Sequence, residues 1–247
     1  MTSAACVLVD TAVSSRGQIR LRPTSLTIEA NTITGIIGAN GSGKSTLLSV
    51  LAGQLIPTQG AVHLNGHELS ALKETERAQQ RALLGQHVSA TFAFPVREVV
   101  SWGRFCWART EQRNRDLEVV QTAIERYNLQ HLVDRPITEL SSGEQTRVHL
   151  ARVMAQQAPV IMLDEPDADL DLKARLAFYD SLREFRDRGA TVVMITHDLG
   201  VLNRLCDSVI GMRDGGIAFH GGEVTPEVIV DLFGVTRSEA EHELGLL

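Results

Sequence analysis

Apolar residues in this chain fall into short, nearly uninterrupted runs: Ile33-Thr34-Gly35-Ile36-Ile37, Val160-Ile161-Met162-Leu163 and Thr191-Val192-Val193-Met194-Ile195. Runs this short, rich in β-branched residues and lacking polar alternation, predict strands buried on both faces, over Ile33–Gly38, Val160–Leu163 and Thr191–Thr196. Helical patterns occupy Ser45–Ala52, Pro95–Trp107, Gln112–Tyr127 and Glu144–Gln157. Residues 1–30 read differently, with weak antiparallel strands around Val7-Leu8-Val9 and Leu26-Thr27-Ile28. Strands alternating with helices predict an α/β protein with a largely parallel sheet. Helical character concentrates between about Ser89 and Gln157. There is no internal repeat, low-complexity tract or flexible linker.

Composition narrows the class. A length of 247 residues with 43% apolar content is ample for a core. The apolar runs fall far short of the roughly 20 residues of a membrane span, and no signal peptide is expected from the N-terminus. Cys6, Cys106 and Cys206 lie too far apart in sequence for a metal-ligand or disulfide spacing, which points to a reducing cytoplasm. A net charge of −6 argues against a nucleic-acid partner, because duplex binding needs a basic footprint.

The chemistry starts after the first buried run. Gly38-Ala39-Asn40-Gly41-Ser42-Gly43-Lys44-Ser45, followed by Thr46, matches G-x-x-x-x-G-K-[ST] between a predicted strand and a predicted helix. Glycines let successive backbone N–H groups turn toward phosphate oxygens, and the helix N-terminus adds partial positive charge. Lys44 is placed to reach the β- and γ-phosphates and the Ser45 hydroxyl to ligate Mg²⁺, so the ligand class is a nucleotide polyphosphate with that ion. The run Val160–Leu163 ends in Asp164 and Glu165. The first carboxylate suits Mg²⁺, and the second suits orienting or deprotonating the attacking water. Thr191–Thr196 ends in the same way on His197. Leu140-Ser141-Ser142-Gly143-Glu144-Gln145 opens a helix with free N–H groups and hydroxyls, which reads as a second anion site or as a plain serine cap. A second phosphate site for one nucleotide makes sense only if two chains share it.

Together these segments resemble the nucleotide-binding subunit of an ATP-binding cassette (ABC) transporter, over nearly the whole chain. Gly38–Ser45 resembles the Walker A loop, Val160–Asp164 the Walker B strand with Glu165 as catalytic glutamate, and Leu140–Gln145 the signature motif. Gln86 resembles the Q-loop glutamine, Ala168-Asp169-Leu170-Asp171 the D-loop, and His197 the switch histidine. The resemblance implies a P-loop NTPase (RecA-like) core over residues 1–86 and 158–247, with an antiparallel β subdomain and a helical insertion over about 87–157. It implies a head-to-tail dimer sandwiching ATP between Lys44 and Ser45 of one chain and Ser141 and Gly143 of the other. Ser142, Glu144 and Asp171 flank that nucleotide, and Ser45, Gln86 and Asp164 surround Mg²⁺. Glu165 then polarises water, His197 contacts the γ-phosphate and Gln86 senses it.

The partners implied are integral-membrane permease subunits, a second copy of this chain and, indirectly, an extracytoplasmic substrate-binding protein, at the cytoplasmic face of the membrane. No fused permease and no appended regulatory domain are expected. Residues 92–104 and 219–235 resemble the branch importing iron-siderophores, haem and cobalamin, with zinc and manganese importers close by. Phe92, Phe94, Trp102, Phe105 and Trp107 crowd one segment, either as a groove for a permease helix or as the insertion's own small core.

The chain departs from the family pattern at three places. No aromatic occurs before Phe92, where members usually stack one on adenine, and Arg16 near that position is the candidate substitute through cation–π contact. Ser142 stands where the signature usually has glycine. A left-handed backbone there would cost serine about 1 kcal/mol, and Ser142→Gly would then raise hydrolysis. Asp167 and Asp169 add carboxylates after Glu165, which either repel triphosphate or point harmlessly into solvent.

Overall fold

In a computed structural model, residues 4–85 and 92–246 are described. In chain order they form β1 (Ala4–Ser15), β2 (Gln18–Glu29), β3 (Ile33–Ile37), α1 (Lys44–Leu51), β4 (Gln59–Leu64), β5 (His67–Glu68), α2 (Glu74–Gln80), β6 (Arg81–Leu84), α3 (Val96–Ser101) and α4 (Asp116–Arg126). There follow α5 (Ser142–Gln156), β7 (Val160–Asp164), α6 (Leu172–Asp187), β8 (Thr191–Ile195), α7 (Leu202–Leu205), β9 (Ser208–Arg213), β10 (Gly216–Gly221), α8 (Pro226–Phe233) and α9 (Arg237–Glu243). The chain divides into two compact units, Met1–Leu72 with Tyr179–Leu247, and Lys73–Phe178.

The first unit holds an antiparallel sheet in the order β2-β1-β4-β5 and strands ordered β10-β9-β3-β8. β3 runs parallel to both β8 and β9, while β10 returns antiparallel along β9. Every residue of β3 and of β8 is buried, as expected of strands covered on both faces. β1 and β2 are each 12 residues long, far beyond the short apolar cores that mark them in the sequence. Their extra length carries polar residues and several register shifts, because a solvent-facing antiparallel sheet tolerates polar outward positions and bulges. The hairpins β1–β2, β4–β5 and β9–β10 turn through Arg16-Gly17, Asn65-Gly66 and Asp214-Gly215, all with positive φ. That is the two-residue turn whose twist suits antiparallel strands. A separate apolar cluster packs Leu199, Leu202, Val209 and Val224 against Ile229 and Leu232 of α8 and Ala240 of α9.

The second unit pairs β6 with β7 in parallel; α2 and α5 pack on β6, and α3 and α4 pack on α5. The helix expected over Pro95–Trp107 is α-helical only to Ser101 and tightens to 3₁₀ geometry over Trp102–Trp107. There Arg104, 3% exposed, is fully engaged. It donates to Asp116 at 2.8 Å, the Ala155 carbonyl at 2.9 Å, Gln157 at 3.1 Å and the Gln112 carbonyl at 3.3 Å. Its guanidinium also lies 5.7 Å from the Trp107 ring centroid. A buried cation with this many partners ties the 3₁₀ segment to α4 and to the end of α5. Burial drives the Cys6 and Cys206 thiols up to about 12, so both remain protonated at neutral pH.

Arg104→Met strands the Asp116 carboxylate and orphans buried carbonyls. Such losses cost about 2–4 kcal/mol, and the urea midpoint of the variant is expected to fall accordingly, with Asp116→Asn losing less because that carboxylate is partly exposed.

Candidate nucleotide site

β3 ends at Ile37, and the chain then turns at Gly38, with φ 145. A Cβ there would lie 2.3 Å from the Met212 carbonyl oxygen and 2.7 Å from Ser42 Oγ, so no larger residue fits. The loop closes through Ser42 N–H to the Ala39 carbonyl at 3.1 Å, and α1 begins at Lys44 behind Gly43, with no side-chain cap. Its first amides are therefore left to a ligand. Lys44, 6% exposed, curls back so that Nζ donates to the Gly38 carbonyl at 2.8 Å and to the Ala39 carbonyl at 3.2 Å. The Ser42 hydroxyl is buried without a hydrogen-bond partner among the described residues. Ser45 is exposed and Thr46 half-buried on the first turn of the helix. An uncapped helix start, a buried ammonium and an orphaned hydroxyl together fit a polyphosphate.

The register of β3 and β8 pairs Ile36 with Ile195, and Thr196 N–H donates to the Ile36 carbonyl at 3.4 Å. The phosphate loop and exposed His197 thus leave the carboxyl ends of two adjacent parallel strands, the usual ligand edge of such sheets. Asp198, next to His197, is held by the Tyr179 hydroxyl at 3.3 Å and donates its amide to Thr196 Oγ1 at 3.1 Å. Tyr179 is a supporting residue that the sequence reading missed, and nothing in its local pattern marks it.

In the second unit, Asp164 closes β7 and is buried. Glu165 follows with φ 51. A left-handed non-glycine residue costs about 1–2 kcal/mol, and strain of this kind collects at functional positions. Asp167 is buried, whereas Asp169 is exposed, so the two added carboxylates are not alike. Asp171 Oδ1 accepts from Ala174 N–H at 2.8 Å and caps α6. Ser141 caps α5 in a reciprocal box: Glu144 N–H donates to Ser141 Oγ, and Ser141 N–H donates to the Glu144 carboxylate at 2.9 Å. Those Ser141 donors hold the Glu144 carboxyl below its ordinary range. Gly143 lies against the D-loop, where a Cβ would stand 3.2 Å from the Asp169 carbonyl oxygen. Gln86 lies outside the described residues.

The expectation for Ser142 is corrected. α5 begins at Ser142, not at Glu144, and Ser142 is absent from the positive-φ positions. Its backbone is helical, so serine carries no left-handed penalty. Arg16 does occupy a left-handed position, with φ 51, at the exposed tip of the β1–β2 hairpin.

One further surface lies on the helical unit. A groove of about 730 Å³ is lined by Pro95, Glu98, Ser101, Phe105, Leu117 and Val120 among others. Phe105 is 67% and Leu117 90% exposed. The aromatic segment divides between two roles. Trp107 Nε1 donates to the Gln156 carbonyl at 2.7 Å and Phe94 meets Trp102 edge-on at 5.1 Å, while Phe92 and Phe105 stay exposed.

Fold and loop define a phosphate-loop nucleotide-binding protein. The family profile of ABC transporters matches residues 21–168, and the chain belongs to that family; it binds ATP and hydrolyses it. The hemin import ATP-binding protein HmuV of Pseudomonas fluorescens strain Pf0-1 is 42% identical over 237 residues, covering 91% of this chain and 92% of its own. HmuV of Nocardia farcinica strain IFM 10152 is 37% identical over 227 residues, covering 84% and 79% respectively. A solved ABC transporter assigned to the metal-chelate type, in an inward-facing conformation, superposes with a TM-score of 0.79 at 25% identity, covering 94% of this chain and 90% of its own.

Ser142→Gly is expected to leave steady-state ATP turnover no higher than wild type. It should also weaken the start of α5 by about 0.5–1 kcal/mol, the usual cost of glycine in a helix, read as a lower unfolding midpoint.

Proposed function

We propose that this chain is the ATPase subunit of an importer that carries a metal chelate, haem or an iron-siderophore, through separate permease subunits. The observation that carries this reading is the 42% identity to a hemin import ATP-binding protein over 237 residues. The likeness to a metal-chelate transporter supports it. Two copies pair head to tail on the cytoplasmic face of the membrane, and an extracytoplasmic binding protein delivers the cargo to the permease. Among the described residues, no helix is long and apolar enough to cross a membrane. The core, residues 1–86 and 158–247, carries the chemistry. The helical subdomain, about 87–157, offers its groove to a permease helix, since exposed Phe105 and Leu117 are the side chains such a contact buries.

In this reading Lys44 exchanges its two loop carbonyls for phosphate oxygens, and the amides from Gly38 to Thr46 cradle the β- and γ-phosphates. Bound Mg²⁺ would neutralise charge on those phosphates, held by Ser45, Asp164 and Gln86. Glu165 orients a water and takes its proton as the water attacks the γ-phosphorus and the bond to the β–γ bridging oxygen breaks, with ADP as the leaving group, and His197 steadies the γ-phosphate by hydrogen bonding. The partner copy contributes a signature segment, and its Ser141 must release Glu144 to donate to the nucleotide. Closure on ATP and reopening after hydrolysis bias the permease between its two states.

Glu165→Gln is expected to retain ATP while turnover falls about 10²-fold or more, the scale of a lost general base; wild-type-like turnover would remove Glu165 from that role. Affinity purification from detergent-solubilised native membranes, followed by mass spectrometry, tests the transport reading. A polytopic permease with an extracytoplasmic binding protein is the expected result. A permease without a binding protein would indicate export, and a nucleic-acid-bound soluble pool would overturn transport altogether.

A further inference from the structure

The phosphate loop is held from the side by a second loop that belongs to none of the recognised motifs. β9 and β10 join through Asp214-Gly215, with φ 50 and 75. Gly215 N–H donates to the Ser42 carbonyl at 2.9 Å, and the Gly215 carbonyl accepts from Arg22 N–H at 2.6 Å. One residue thus links the backbone of β2 to the middle of the phosphate loop. The space around it is closed: a Cβ on Gly215 would lie 3.2 Å from the Arg20 carbonyl oxygen. A Cβ on Gly43 would lie 3.2 Å from that same oxygen and 3.3 Å from Gly215 Cα. At the other end of the loop, the Met212 carbonyl of β9 abuts Gly38. The β9–β10 hairpin therefore touches the loop near its start and near its end.

The bond to Ser42 has a directional consequence. The Ser42 carbonyl and the Gly43 N–H belong to one planar trans peptide and point opposite ways. Pinning the carbonyl on Gly215 turns the Gly43 N–H away from the hairpin and fixes it there.

We propose that Gly215 is a positioning residue for nucleotide binding, which sets ATP affinity by holding the Ser42–Gly43 peptide in its phosphate-binding orientation. The inference rests on the phosphate loop being the ATP site. A side chain at Gly215 meets both a left-handed backbone and the Arg20 carbonyl, and the least costly relief is to back the turn away from Ser42.

The test compares binding of a fluorescent N-methylanthraniloyl ATP, together with nucleotide-free melting temperatures, in Lys44→Ala, Gly215→Ala, Gly215→Asn and Gly66→Ala. Gly66 is the control, a left-handed hairpin glycine at φ 81 with nothing within 4 Å of its Cβ position. Gly215→Ala is expected to bind about tenfold more weakly, whereas Gly66→Ala stays within about twofold of wild type, although both lower the melting temperature. Equal affinities in the two glycine variants would overturn the proposal. Undiminished binding in Lys44→Ala would instead overturn the site itself. Should Gly215→Ala not be recovered folded, Gly215→Asn decides by the same criterion, since asparagine tolerates the left-handed region yet retains the crowded Cβ.

Discussion

The close approach of two backbones, at Gly38 and the Met212 carbonyl, is the contact on which the nucleotide site depends. A buried parallel strand must end, reverse into a loop that presents amides and restart as a helix within a few residues. With β9 packed alongside β3, that turn is possible only where residue 38 has no side chain. Everything downstream inherits its place from it: the uncapped start of α1, the curl of Lys44, and the alignment of the loop with His197 on the neighbouring strand. The same crowding makes β9 a structural part of the site although it supplies no motif residue.

The second unit shows strain of another kind. β7 delivers Asp164 in regular geometry and then Glu165 in the left-handed region, immediately before Pro166. The conformation is disfavoured for Glu165 twice over, as a non-glycine residue and as the residue before a proline. It sets the Glu165 side chain in a direction a continuing strand would not give. In the same unit Asp171 caps α6 and Ser141 caps α5, so two residues proposed for nucleotide contact also close helix ends.

Much of this was legible in the sequence because the decisive signals are local. The glycine-lysine pattern of Gly38–Ser45 and the buried runs of β3, β7 and β8 appear within a residue or two of their expected bounds. The reading was weaker where polar residues sit inside strands. The alternation of β1 breaks at Val9-Asp10 and that of β2 at Arg22-Pro23, two adjacent exposed residues each, so neither strand shows its full length as one pattern. At Ser142 the family pattern has glycine, but a glycine there need not mean a left-handed backbone: the capping box of Ser141 and Glu144 already starts α5 at Ser142. Tyr179 and Gly215 lie far in sequence from what they support, and only the strand order brings them there. An Asp-Gly pair between apolar runs suits a hairpin turn, but says nothing of what that turn touches.

Lys44 carries an energetic consequence. Its ammonium donates to two carbonyls of its own loop. Each carbonyl it takes up is one that no phosphate could use, since acceptor faces acceptor there. The same side chain therefore neutralises the two carbonyl dipoles at the mouth of the loop, and an anion brought to that mouth meets an ammonium it can share with them. Any phosphate contact Lys44 makes is an exchange of hydrogen bonds, so its net worth is less than the bare charge suggests.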